Sequence, residues 1–202
     1  VYSHEIPTII KKRYLTRNEK REEYRKIFAI NNIPAKPGFE KETRNKFVEK
    51  LEEVISNYDV VFLCDFGHGL VDEEVMKLVQ EKAKYLVLNC QTNSSNKGMN
   101  LITKYMRADV FTLDQQELNL AYPVYGVDER KKLEKLSRHL NGNGWLTRGS
   151  KGAYGVADGK IRECPAFTLT VKDTVGAGDA FFSLAGIFTA AGAPVEVGTF
   201  MG

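Results

Sequence analysis

Two hydrophobic rhythms alternate along most of the chain. Residues 59–64, D-V-V-F-L-C, form a nearly continuous apolar run, the pattern of a strand buried on both faces of a parallel sheet. In residues 72–84 the apolar positions recur at helical spacing, and Asp72 stands where an N-cap belongs. The alternation continues with a strand at 85–89, a short helix at 99–106, a strand at 109–113 and a helix at 115–121 that Pro123 ends. A helix at 129–140 and a strand at 144–147 follow. Residues 152–156 and 160–163 predict a hairpin closed by Asp158-Gly159, a strong turn pair. The apolar run 180–191 predicts a buried helix, and a further helix begins after Ala193-Pro194. Upstream, Phe47, Val48, Leu51, Val54 and Ile55 share a helical face within 40–57. Residues 7–14 read as extended, 17–28 is charge-dense without a clear period, and 31–39 reads as loop because it holds Pro34, Pro37 and Gly38. Strands and helices alternating at these lengths predict an α/β fold, a three-layer α/β/α sandwich with a mostly parallel sheet. A single domain spans 1–202, with 1–39 as its lid or substrate-side strands and loop.

Length and composition fit that expectation. The 202 residues are enough for one domain with a sizeable core. A net charge of +3, with no long basic block, argues against nucleic acid as a partner. No apolar segment has membrane-spanning length. Cys64, Cys90 and Cys164 are far apart and odd in number, which predicts buried free thiols in a reducing cytoplasm rather than disulfides or a zinc site. The chain starts at Val1 and stops at Gly202, where a helix is beginning, so a fragment is expected.

In open α/β sheets ligands sit beyond the carboxyl ends of the strands, which marks residues 65–69, 89–93, 114–117, 148–149 and 173–179. The last of these stretches carries the sharpest chemistry. Gly176, Ala177 and Gly178 leave the backbone uncovered just before a helix, and helix starts present free N–H groups to anions. Asp179 would repel an anion held there unless it faces a substrate hydroxyl while the N–H groups hold a transferring phosphoryl group. Asp114 and Glu117 open a helix after a strand; Glu117 can organise magnesium near phosphates, or the pair can simply favour a helix start. Residues 146–152, L-T-R-G-S-K-G, end a strand in a Gly-punctuated turn. There Gly149 and Gly152 permit close approach of a ligand and Thr147 and Arg148 supply donors, although the stretch reads equally well as a plain strand–turn–strand. Arg148 or Lys172 is expected to stabilise charge on the phosphoryl group. Asp65 and His68 form a polar pair at a strand end that can face a substrate, although His68 reads equally well as a loop residue. Lys11 and Arg13 share a strand face and suit either a sugar phosphate or the protection of an edge strand. Asp65-Phe66-Gly67 is not the metal-binding D-F-G of protein kinases, since no H-R-D-x-x-x-x-N accompanies it. A dinucleotide oxidoreductase is excluded because no G-x-G-x-x-G opens a βαβ unit.

The string D-T-V-G-A-G-D-A-F-F at 173–182 closely resembles the second signature of the ribokinase (PfkB) family of carbohydrate kinases, although Leu184 stands where the strictest form has Ala or Gly. The resemblance implies a ribokinase-like fold, with Asp179 as catalytic base, the Gly176–Ala177–Gly178 backbone as anion hole, and ATP with Mg2+ as phosphate donor. Residues 114–117 resemble the family's N-x-x-E with Asp114 replacing Asn, which implies a metal-organising role for Glu117. Residues 147–152 resemble its T-x-G-x-x-G stretch, which borders the nucleotide. Within the family, C-D-F-G-H-G-L at 64–70 and P-T-I-I-K-K-R-Y-L at 7–15 resemble bacterial heptose-7-phosphate kinases, while Cys90-Gln91-Thr92 departs from their D-P-K. The implied substrate is a sugar or sugar phosphate such as heptose 7-phosphate. The implied partners are a second copy in a homodimer and a fused or neighbouring nucleotidyltransferase. The rival expectation is a catalytically incomplete domain that serves oligomerisation or supports such a fused partner.

Overall fold

The computed structural model describes residues 1, 8–18, 23–33, 39–93, 96–167 and 176–202. Strands β1 (Ile10–Asn18) and β2 (Glu23–Asn32) pair antiparallel into a ribbon whose register shifts at Tyr14/Leu15. The sequence pattern reaches only part of this ribbon. Its described side chains from Ile10 to Arg17 and from Lys26 to Asn32 are exposed, so no buried face imposes a period on them. β2 takes in Asn31 and Asn32, which the sequence reading placed in a loop, while Pro34, Pro37 and Gly38 lie outside the described residues.

From Lys41 the pattern reads well. Helix α1 (Lys41–Ile55) leads into strand β3 (Val61–Asp65), helix α2 (Glu73–Lys82) and strand β4 (Leu86–Cys90). Asp72 caps α2, its side chain accepting from the Val75 N–H. Strand β5 (Val110–Asp114), helices α3 (Gln115–Ala121) and α4 (Glu129–Leu140), and strand β6 (Asn143–Thr147) follow. Strands β7 (Ala153–Ala157) and β8 (Lys160–Cys164) form the expected hairpin, and helices α5 (Ala177–Ala190) and α6 (Val195–Met201) end the chain. The helix expected at 99–106 is one 3-10 turn, Ile102–Lys104, because Asn100, Lys104 and Tyr105 bend towards the end of β3 to bond Asp65.

One six-stranded sheet runs β3-β4-β5-β6-β7-β8, parallel from β3 to β6 and antiparallel from β6 to β8. Alternate residues serve opposite faces. Leu88, Phe111 and Leu146 pack with Leu118, Leu133 and Leu136 on one side. Val87, Val110 and Trp145 pack with Phe181, Phe182 and Val195 on the other. The sheet is therefore the middle of three layers, an α/β fold with a mostly parallel sheet as the alternation predicts. Trp145 is fully buried, and its indole N–H donates to Thr199 Oγ1 at 2.9 Å, so the buried donor is satisfied from α6. The three cysteines are free thiols; Cys90 is buried as expected, but Cys64 is exposed.

Candidate functional site

The carboxyl ends of the parallel strands open into two adjoining hollows. The first, of about 550 Å³, is lined by Asn89, Gln91, Glu117 and Asp179, with Arg13 and Lys26 of the β1–β2 ribbon along its wall. The second, of about 540 Å³, is lined by Gly149, Gly152, Phe167, Phe200 and Met201. Asp114, Thr147 and Gly178 border both.

Helix α5 begins three residues earlier than the apolar run suggests, because Ala177, Gly178 and Asp179 already form its first turn. Gly176 precedes it at φ +81°, a left-handed conformation that glycine adopts without cost. No side chain among the described residues caps this end, so the first-turn N–H groups face the hollows. A Cβ built at Gly149, Gly176 or Gly178 would meet nothing within 4 Å, so these backbones are open to a ligand. Asp179 is exposed beside them, and its Oδ1 accepts from Gln91 Nε2 at 2.9 Å. Lys172 and residues 173–175 lie outside the described residues.

In the first hollow, Asp114 and Glu117 form a capping box. Asp114 Oδ1 accepts from the Glu117 N–H at 2.8 Å, and Glu117 Oε2 accepts from the Asp114 N–H at 3.0 Å. Glu117 Oε1 accepts from the Thr92 N–H at 2.9 Å. An aspartate thus does the capping work of the expected asparagine and adds a negative charge. Burial first, and then that charge, raises the Glu117 pKa to about 7 against the two backbone hydrogen bonds. Near the floor, Asn89 is 8% exposed and donates to Thr112 O and Oγ1, which leaves its Oδ1 buried without a partner among the described residues. Such an acceptor suits a ligand hydroxyl.

The geometry also reassigns several expected residues. The Arg148 guanidinium does not reach either hollow. It lies 4.0 Å over the Tyr154 ring and bonds Glu163 at 3.0 Å, with Glu129 at 3.6 Å. Gly152 borders the second hollow, but its glycine is required by packing, since a Cβ would sit 2.0 Å from Cys164 O. Asp65 turns inward at 1% exposure. Burial alone would raise its pKa, but Lys104 at 2.6 Å, the Gly67 N–H and the Tyr105 hydroxyl outweigh that and hold it below the usual carboxylate range. Arg13 lines the first hollow, whereas the Lys11 ammonium lies 5.6 Å over the Phe66 ring. The Lys11 pKa is lowered by burial and then by Arg13.

Sequence reasoning missed Lys26 as a cleft residue, and the ribbon's exposure left no period to find it by. It also missed the asparagine network that builds this edge. Asn93 and Asn96 donate to Phe66 O, and Asn100 donates to Asp65 O and Gln91 O. The N-x-x-N-x-x-x-N spacing at 93–100 was the signal available. Gly67 fits this network because its φ is +66° and a Cβ would lie 2.3 Å from Asn96 Nδ2.

Among the described residues no three metal-ligating side chains converge. The Asp114–Glu117 pair at the edge of the first hollow suits a cation carried by ligand phosphates, since magnesium takes few protein ligands. A sequence model of the pfkB family carbohydrate kinases matches residues 26–196. The chain belongs to the PfkB family. Relatives of this PfkB chain include the bifunctional protein HldE of Shewanella baltica, 26% identical over 93% of the chain and 37% of the relative. HldE of Campylobacter fetus is 25% identical over 69% of the chain and 30% of the relative. The chain thus spans about a third of the length of these relatives. Its fold matches phosphofructokinase-2 from Escherichia coli with a TM-score of 0.69 at 15% identity, covering 92% of this chain and 60% of that one. Ribokinase from Thermotoga maritima gives 0.64 at 18%, covering 94% and 59%.

Proposed function

We propose that this PfkB chain carries the phosphate cradle and base of an ATP- and Mg2+-dependent kinase that phosphorylates a hydroxyl of a sugar or sugar phosphate. Heptose 7-phosphate is the substrate that the HldE relatives and the resemblance in 7–15 and 64–70 favour. The carrying observation is Asp179 standing exposed on the first turn of α5, beside the uncovered backbone of Gly176 and Gly178, in one hollow with Glu117. ATP with magnesium supplies an electrophilic phosphoryl group when bound. Asp179 takes the proton from the attacking hydroxyl, and that oxygen forms the new bond to phosphorus as the bond to the leaving diphosphate breaks. The first-turn amides of α5 hold the negative oxygens of the group in transfer. Asp114 and Glu117 would hold the cation, which would neutralise charge on the phosphates, and Arg13 and Lys26 suit an anionic end of the substrate. No described helix is long and apolar enough to cross a membrane, and we place the protein in the cytoplasm. A nucleotidyltransferase, fused or neighbouring, and a second copy of the chain are the partners this reading favours.

Asp179→Asn is expected to lower kcat by about 10²- to 10⁴-fold, the usual worth of a general base, with ATP binding retained by calorimetry. A variant that keeps even a tenth of wild-type turnover on heptose 7-phosphate sinks the assignment of Asp179.

A further inference from the structure

Gln91 is the described side chain that hydrogen-bonds the Asp179 carboxylate, across 88 residues of sequence. It follows β4 directly, and its backbone is fixed on both sides. The Gln91 N–H donates to Asp65 O at 2.8 Å, and its carbonyl accepts from Asn100 Nδ2 at 3.0 Å. The partner atoms belong to the network that locks the strand ends together, so the carboxamide is presented from a rigid base. Its Nε2 then meets Asp179 Oδ1 at 2.9 Å, within the first hollow.

We infer that Gln91 is a positioning residue for Asp179, holding Oδ1 so that Oδ2 is the oxygen that meets the substrate hydroxyl. The terminal torsion of an aspartate is broad, so an exposed carboxylate on a helix start samples many orientations. One fixed hydrogen bond narrows that range. An amide N–H can only donate, so the contact survives both before and after Asp179 takes a proton on Oδ2. It also ties the tip of β4 to the first turn of α5, the two elements that must keep register for base and anion cradle to act on one substrate. This inference rests on the reading of Asp179 as the base.

The test uses Gln91→Leu and Gln91→Glu. Gln91→Leu removes the donor and is expected to lower kcat on heptose 7-phosphate about tenfold, the worth of one hydrogen bond to a charged group, with KM for ATP and the unfolding midpoint unchanged. Gln91→Glu sets a second carboxylate against Asp179 and is expected to move the acid limb of the kcat–pH profile upward by about one unit. Among the described residues, the other titratable groups on this side are Arg13 and Lys26 of the ribbon, Asp114 and Glu117 of the same hollow, and Cys64 of β3. The Cys64 thiol is pushed up by burial and then by the Asp179 charge. Neither variant replaces any of these groups. A readout independent of turnover is the carbon NMR titration of the Asp179 carboxyl, assigned with Asp179→Asn, which is expected to move to higher pH in Gln91→Glu. An Asp179 titration that is the same in wild type and Gln91→Glu overturns the inference whether or not the sugar phosphate is turned over. If Asp179→Asn abolishes turnover while Gln91→Leu keeps full kcat, the positioning role falls and the base assignment stands.

Discussion

Both carboxylate oxygens of Glu117 accept backbone N–H groups, from Thr92 and Asp114, yet its pKa stands at about 7. Burial and the neighbouring Asp114 outweigh the two bonds. This has a defined sign for stability in the ligand-free protein. Below the ordinary value of 4.5 Glu117 is protonated in both folded and unfolded chains and changes nothing. Between 4.5 and about 7 the unfolded chain ionises while the fold keeps its proton, so stability falls as pH rises through that window. Above it the loss levels off at up to about 3 kcal/mol. Gln cannot ionise, so the stability difference between wild type and Glu117→Gln is expected to drift against wild type from pH 4.5 to above 7, read by urea unfolding without metal or nucleotide. A difference that stays constant over that range contradicts the raised pKa. Residues of this kind were legible as positions before they were legible as states. Asp179 and Glu117 announce themselves by local motifs, because a helix start needs those residues nearby in sequence. Arg148 did not, because what draws its guanidinium aside is Tyr154 and Glu163, neighbours only through strand pairing.

The β1–β2 ribbon shows the same limit for an element. Strands β4 and β5 were readable because burial on both faces keeps their runs largely apolar, and the helices because one face is apolar. The ribbon has no such constraint. Its Arg13 and Lys26 turn to the cleft, while Tyr14 and Phe28 stack at 4.4 Å and, with Ile30, remain 43–53% exposed. A two-stranded ribbon is at best marginal in water unless something covers it. A second ribbon offering the same aromatic pair is a matching cover, since an isologous contact needs only one self-complementary patch. Light scattering is expected to report a dimer for wild type and a monomer for Phe28→Lys. A monomeric wild type, or a variant that stays dimeric, rules this face out.

At the scale of the molecule, the shared direction of β3 to β6 sets all four parallel strand ends on one edge, and both hollows open there. That arrangement was legible from the alternation of elements alone. The division of the edge into two spaces was not, because it depends on where α5 and α6 settle against the sheet. Among the described residues, Asp114, Thr147 and Gly178 border both spaces. An occupant of one hollow therefore becomes part of the wall of the other. By linkage, whatever factor a sugar phosphate applies to the affinity for ADP, ADP must apply to the affinity for the sugar phosphate. Calorimetric titrations in the two orders are expected to return one shared factor different from one. A factor of one in both orders would mean that the boundary insulates the sites. Shared border residues thus give each ligand a route to the binding of the other, by adjacency and with no change of shape.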